Sequence, residues 1–142
     1  MIRRFERLDM ETVLQIWLGG NLQAHPFISA SYWEGHLDMM REVLPQSEVY
    51  VYSQEGKVIA FVGLDQNYIA GIFIQKEWRS QGIGGRLLAF LKERKPALML
   101  CVYRKNERAC RFYLKENFQI KEEKTDYPTG EKEYLMEWKS AP

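Results

Sequence analysis

A run that starts as a strand, breaks on glycines and resumes as a helix constrains this chain more than any other feature. It reads Ile72-Phe73-Ile74-Gln75-Lys76-Glu77-Trp78-Arg79-Ser80-Gln81-Gly82-Ile83-Gly84-Gly85-Arg86-Leu87-Leu88. The β-branched and aromatic opening favours a strand, and the leucines beyond the glycines favour a helix. Backbone N–H groups at a helix start have no intrahelical partner, and the helix dipole adds partial positive charge there. Gly82, Gly84 and Gly85 remove side-chain bulk, so successive amides can curl around an anion. A strand feeding such a turn predicts a phosphate or pyrophosphate site.

Two common phosphate motifs are excluded. No Gly-Lys-Ser/Thr follows the glycines, so the lysine and magnesium-binding hydroxyl of a nucleoside-triphosphate loop are missing. The dinucleotide fingerprint fails because its third glycine would fall at Leu87. What remains is Arg79-x-x-Gly82-x-Gly84.

The rest of the chain predicts one α/β domain over residues 1–142. A net charge of +1 gives no reason to expect nucleic acid or an anionic membrane as a partner. No apolar run approaches the length of about eighteen residues that spans a bilayer, and the start Met1-Ile2-Arg3-Arg4-Phe5 lacks a signal-peptide core. Cys101 and Cys110 sit in no metal or redox spacing and read as buried small residues. A cytoplasmic protein with free thiols and no metal is expected.

Hydrophobic spacing predicts a first strand over 2–5 and a helix over 10–18, capped by Asp9 and ended by Gly19-Gly20-Asn21. A second helix is predicted over 30–44, closed by Pro45. The period then changes to two. Strands over 49–52 and 58–62 flank Glu55-Gly56-Lys57 as a hairpin, and 68–74 adds a third antiparallel strand. A helix over 84–95 leads to an apolar run at 98–103, expected to be a strand buried on both faces and parallel to the one before the helix. Asn106 would cap a further helix ending near Asn117, and strands over 118–124 and 133–138 close the sheet across Tyr127-Pro128-Thr129-Gly130.

This element order, with Arg79-x-x-Gly82-x-Gly84, resembles the GCN5-related N-acetyltransferase (GNAT) superfamily, whose acyl-coenzyme A pyrophosphate motif is Arg/Gln-x-x-Gly-x-Gly/Ala. A second match lies at Asn106-Glu107-Arg108-Ala109-Cys110-Arg111-Phe112-Tyr113-Leu114-Lys115-Glu116-Asn117-Phe118, similar to the family's Asn-x-x-Ala-x-x-Phe-Tyr-x-Lys-x-Gly-Phe. Asn117 replaces the usual glycine and can adopt the same backbone conformation. The resemblance implies a mixed sheet of six to seven strands, flanked by about four helices, with two central strands splayed apart. Acetyl-CoA would enter that splay between residues 71–74 and 100–103, pairing with unpartnered backbone near Ile72, Phe73 and Ile74. By the same resemblance, amides from Gln81 through Gly82, Ile83, Gly84 and Gly85 to Arg86 hold the pyrophosphate, with Arg79 and Arg86 as charge partners. Asn106 would bond the pantetheine, and it serves equally as a helix cap.

Tyr113 is the candidate acid, protonating the departing thiolate. It also reads as a core aromatic on an amphipathic helix. Backbone N–H groups near Ile72 to Ile74 would meet the oxyanion. A lysine acceptor, with pKa about 10.4, is neutral about once in a thousand at pH 7, so a base is needed. Asp65, Glu77, His25, His36 and Tyr68 are nominees. His25, Phe27 and Tyr32 are the candidates for shaping the acceptor pocket, in a segment resembling small bacterial protein-lysine acetyltransferases. The acceptor expected is a protein lysine or N-terminal amine, with a polyamine or aminoglycoside as the alternative. The alternative would favour an acidic pocket, for which Glu34, Asp38, Glu42 and Glu48 are nominees that also read as a solvated face. A non-catalytic acyl-CoA sensor is a further reading, and homodimerisation is compatible with the family.

Overall fold

Where apolar residues begin to alternate, the chain is built as strands. The structure, a computed structural model, describes residues 1–141. Its strands are β1 (Ile2–Arg4), β2 (Glu48–Gln54), β3 (Lys57–Asp65), β4 (Tyr68–Ile74), β5 (Ala97–Tyr103), β6 (Gln119–Asp126) and β7 (Glu131–Lys139). They form one sheet in the order β1-β2-β3-β4-β5-β7-β6. Every neighbouring pair is antiparallel except β4 and β5, which are parallel. The β2–β3 hairpin turns on Glu55 and Gly56, both at positive φ (55° and 78°), a geometry that follows the right-handed twist of the strands.

The helices are α1 (Met10–Ala24), α2 (Ala30–Glu34), α3 (Leu37–Val43), α4 (Ile83–Lys92) and α5 (Glu107–Lys115). Two cores result, one on each face of the sheet. Val13, Leu14, Ile16 and Trp17 of α1 pack with Trp33 on Val49, Val51 and Phe61. Leu87, Leu88 and Leu91 of α4 pack with Tyr113 of α5 on Ile59, Val62, Leu98 and Leu100. At ~25 cal/mol per Å² of apolar surface, such burial is the main force holding both layers. No helix among the described residues is long and apolar enough to cross a membrane.

Several boundaries differ from those expected, each for a local reason. Helix α1 passes through Gly19-Gly20-Asn21 to Ala24. A Cβ on Gly20 would lie 3.0 Å from the Phe73 ring, and buried Asn21 donates to the Trp17 carbonyl at 3.0 Å. These residues fit the helix against β4 instead of stopping it. Asp9 makes no side-chain cap. Its carboxylate accepts two bonds from the Arg3 guanidinium, at 2.9 and 3.0 Å, and one from the Glu6 N–H at 2.8 Å, so it ties β1 to the start of α1. The single helix expected over 30–44 is two, broken at Gly35-His36, where the His36 ring bonds the Tyr32 carbonyl and Pro45 sits in a closing 3-10 turn. Helix α4 ends at Lys92, short of Pro96.

Strand β5 is not buried on both faces. Leu98, Leu100 and Val102 are buried, whereas Ala97, Met99, Cys101 and Tyr103 are half-buried. Helix α1 lies over β3 and β4, which leaves that face of β5 partly open. Asn117 does adopt the left-handed conformation (φ 73°) that ends α5.

Candidate active site

The parallel pair β4 and β5 meets only at Tyr68↔Met99 and Ile69↔Leu100. Beyond those pairs each strand follows its other neighbour, β4 along β3 to Ile74↔Ala60 and β5 along β7 to Tyr103↔Glu133. A β-bulge marks the parting. Gly63 pairs with Gly71 and Leu64 with Ile69, so Ala70 is the extra residue and bends β4. The facing edges of residues 70–74 and 101–103 therefore carry N–H and C=O groups without a ladder partner across the gap. The gap opens one residue later on β5 than expected, because Leu100 is still paired. Phe73 folds over Gly71, where any Cβ would lie 2.3 Å from its ring.

From Ile74 the chain makes a 3-10 turn over Lys76–Trp78 and enters the glycine turn. Ser80 and Gly82 are both left-handed (φ 63° and 80°), the kind of backbone curl that can turn successive amides toward one anion. Gly82 begins α4 without any side-chain cap, and a Cβ there would meet nothing within 4 Å. The glycines do different work. A Cβ on Gly84 would lie 3.0 Å from the Phe112 ring and 3.5 Å from Ile74, so Gly84 lets α4 approach α5. Gly85 has nothing nearer than the Glu116 carboxylate at 3.8 Å, and Ile83 is buried, pinning the first turn to the core.

Three guanidinium groups lie on this region. Arg79 turns back along β4, donating to the Ile74 carbonyl (3.3 Å) and to Gln23 of α1 (2.8 Å). Arg86 donates to the Tyr52 hydroxyl at 2.8 Å. Arg108, which lies outside the motif positions, donates to the Ser80 hydroxyl in the turn itself, at 3.0 Å. Burial, and then the nearby charge of Arg108, lower the Arg79 pKa from its ordinary value. Two like charges held close together with an uncapped helix start favour an anion.

Asn106 caps α5, accepting from the Ala109 N–H at 3.3 Å. Its amide nitrogen lies 3.4 Å from His25 Nε2, which brings the α1–α2 connection to the gap. Tyr113 is 8% exposed, packed edge-on between Phe112 and Phe118. Burial, then Cys110, push its hydroxyl above the ordinary tyrosine range, so it stays protonated near neutrality.

On the opposite face, His25 is enclosed by rings. It stacks on Trp33 (5.3 Å between centroids) and meets Tyr103 (5.0 Å) and Phe27 (5.6 Å) edge-on. Tyr32 packs on Trp33 at 4.9 Å. Burial pushes the His25 pKa down to about 4, and Nδ1 has no partner among the described residues. Its imidazole is therefore neutral at pH 7 and only weakly basic. Because the folded pKa lies below the ordinary value of about 6.5, the unfolded chain takes the proton first. This contribution to stability is complete above about pH 6.5 and is lost as the pH falls toward 4. NMR titration is expected to show His25 ring signals of neutral imidazole down to about pH 5; a midpoint near 6.5 would contradict the enclosure.

The other nominated bases do not converge on the gap. Asp65 is exposed at the β3–β4 turn, Glu77 is exposed beside a 280 Å³ cavity between α1 and the end of β4, and His36 is bonded to the Tyr32 carbonyl. Burial, then the neighbouring Cys101 thiol, raise the Tyr68 pKa, so it is no base at neutral pH. The acidic pocket nominated for a polycationic acceptor does not form. Glu34, Asp38 and Glu42 are exposed, and Glu48 is held by Lys95 and Tyr50. The carboxylates that do face the tyrosines are Asp126 and Glu133, close together at the turn end of the β6–β7 hairpin, where no local motif marks them.

The family model described as an acetyltransferase (GNAT) domain matches residues 45–120. The chain is 32% identical to the peptidyl-lysine N-acetyltransferase YiaC of Escherichia coli, covering 97% of this chain and 96% of that one. Its fold matches the solution structure of apo-form YjaB from Escherichia coli with a TM-score of 0.87 and 26% identity, over 99% and 98% of the two chains. It also matches a PaiA N-acetyltransferase from Thermoplasma acidophilum, solved in complex with coenzyme A, with a TM-score of 0.82, 20% identity and 99% and 98% coverage. With its splayed parallel pair, its uncapped glycine turn and these likenesses, the chain belongs to the GNAT family of acetyltransferases.

Proposed function

We propose that this acetyltransferase moves the acetyl group of acetyl-CoA directly to the ε-amine of a protein lysine. One observation carries the reading: the unpaired edges of the β4–β5 gap lead straight into the uncapped amides of α4. A linear, amide-bearing thioester ending in a pyrophosphate has complementary groups for both. Ile72, Phe73 and Ile74 offer the strand edge, amides from Gln81 to Arg86 take the pyrophosphate, and Arg79 and Arg108 supply positive charge. Asn106 contributes its amide beside its capping bond.

The reaction builds negative charge on the acyl oxygen and then on the sulfur. Backbone N–H groups along residues 70–74 meet the first charge. Tyr113, kept protonated by its surroundings, donates its hydroxyl to the second. His25, Phe27 and Tyr32 wall the acceptor side with rings, which suits the long apolar stem of a lysine. The names of YiaC and YjaB, both peptidyl-lysine N-acetyltransferases, support lysine as acceptor. Two free thiols fit a cytoplasmic location, and residues 1–142 are read as one domain.

Isotope-labelled acetyl-CoA offered with lysine peptides, N-terminal peptides, polyamines and aminoglycosides tests this by mass spectrometry. The label is expected on lysine ε-amines. Label on polyamines or aminoglycosides alone would overturn the acceptor assignment, and retained cofactor binding with no transfer would favour a sensor.

A further inference from the structure

We infer that Glu133, with Asp126 beside it, receives the acceptor's ammonium group and takes its proton, within a cup of tyrosines on the opposite face of the gap from Tyr113. This rests on the acetyl-transfer reading above.

The placement follows from register. Tyr103, which ends the unpaired stretch of β5, is directly opposite Glu133 on β7. Tyr134, Met136 and Trp138 of β7 pack toward α4 and α5. Strand alternation therefore puts Glu133 on the other face, where Tyr103 joins the α1 core. Asp126 arrives from the end of β6, held there by the Tyr103 hydroxyl and the Thr129 hydroxyl, each at 2.7 Å. Tyr68 of β4 and Tyr32 of α2 both feel the Glu133 charge, so the cup is built by five different elements.

Its electrostatics are unbalanced. The Glu133 side chain is 16% exposed, and its ion-pair partner Lys124 stands 4.0 Å away with 44% exposure. A carboxylate withdrawn from water, beside a second carboxylate and only loosely paired, favours an incoming cation. Burial, and then Asp126, raise the Glu133 pKa, while Lys124 opposes the shift. That shift makes the carboxylate a better base near neutrality than an ordinary glutamate.

Ring faces beside the carboxylates add to this attraction: His25, Trp33, Phe27 and Tyr103 pack on one another with centroids 5.0 to 5.8 Å apart. At the rim of the cluster the Lys105 ammonium already lies 5.5 Å over the Phe27 ring, held also by Glu131 at 3.2 Å. These rings beside carboxylates therefore accommodate a lysine head group.

In the step itself, Glu133 takes one proton from the lysine ammonium and passes it to solvent. The neutral nitrogen bonds to the acyl carbon, the carbon–sulfur bond breaks, and nitrogen loses its surplus proton. The sulfur departs with a hydrogen bond from the Tyr113 hydroxyl and takes up the proton that nitrogen sheds, so it leaves as a thiol. One ammonium and one thioester become one amide, one thiol and one released proton.

The test is kcat/KM for a lysine peptide against pH, from about 6 to 9, for the full chain and three variants. Glu133→Gln is expected to lose about 100-fold at pH 7, with the deficit shrinking about tenfold per unit as the pH rises and the amine deprotonates unaided. Its affinity for acetyl-CoA should hold. Asp126→Asn should move the acid limb of the profile to lower pH, because Glu133 then ionises more readily. Glu133→Asp should retain that limb at a reduced kcat, and with Asp126→Asn it decides the matter if the glutamine variant fails to fold. A wild-type profile in Glu133→Gln, or a loss independent of pH, overturns the inference. Absence of lysine transfer by the wild type would instead overturn the acetyl-transfer reading and this inference with it.

Discussion

Tyr113→Phe is expected to lower kcat for lysine acetylation about 100-fold while the Kd for acetyl-CoA stays within about twofold. The ring fills the space between Phe112 and Phe118 with or without its hydroxyl, so packing and melting temperature should hold. In the role proposed for it, what is lost is a donor to the developing thiolate. A thiol has an ordinary pKa of about 8.5, and Tyr113 is raised from about 10, so complete proton transfer to a free thiolate would be uphill. The proposed role is therefore a hydrogen bond donated as the carbon–sulfur bond breaks, in surroundings that also penalise charge on sulfur. Because burial keeps Tyr113 protonated well above neutrality, no alkaline loss of activity below about pH 10 should trace to it. Steady-state kinetics beside equilibrium dialysis measures both quantities. An unchanged kcat would remove Tyr113 from the chemistry and leave it as a core aromatic.

Gly84→Val should damage stability and cofactor affinity together. Its first added carbon would stand 3.0 Å from the Phe112 ring, and the two methyl groups beyond it have nowhere to go unless α4 shifts. Overpacking of this kind costs about 2 kcal/mol, which in a chain of 142 residues lowers the melting temperature by about 6 °C. The amides of Ile83, Gly84 and Gly85 move with the helix, so the Kd for acetyl-CoA is expected to rise more than tenfold. Gly85→Ala is the stability control, since its added methyl group meets nothing nearer than 3.8 Å and should leave the melting temperature within a few degrees. A Gly84→Val protein that melts and binds like the wild type would show that the α4–α5 contact is loose.

Elements whose evidence lies within a few residues were legible in the sequence. Strand β4, the glycine turn and the Asn106 cap follow from local backbone chemistry, and each stands where the pattern put it. The readings that failed depended on distant partners. Gly19-Gly20 looks like a helix stop until Phe73 arrives from β4 and needs the space. Asp9 looks like a cap until Arg3 occupies its carboxylate. The roles of the glycines in the turn could not be separated either, because only Phe112, on a different helix, distinguishes Gly84 from Gly82. The aromatic cage around His25 draws on α2, β5 and the loop between α1 and α2, and Asp126 and Glu133 reach it through strand register. Arg108 is within reach of sequence reasoning, since it stands in the first turn of the helix that Asn106 is expected to cap.

The two residue pairs that join β4 to β5 also bear on how the folded chain holds together. The strands β1 to β4 and β5 to β7 are each laddered throughout, yet their seam has two rungs. A ligand that bridges the open part of the seam supplies rungs the polypeptide omits, and it does so only in the folded state. At a concentration a hundredfold above its Kd, such a ligand adds about 2.7 kcal/mol to folding, a sizeable part of a small domain's total. An acetyltransferase built in this way would last longest in the cell when its acyl donor is plentiful, so that supply of the donor would set the amount of enzyme as well as its rate.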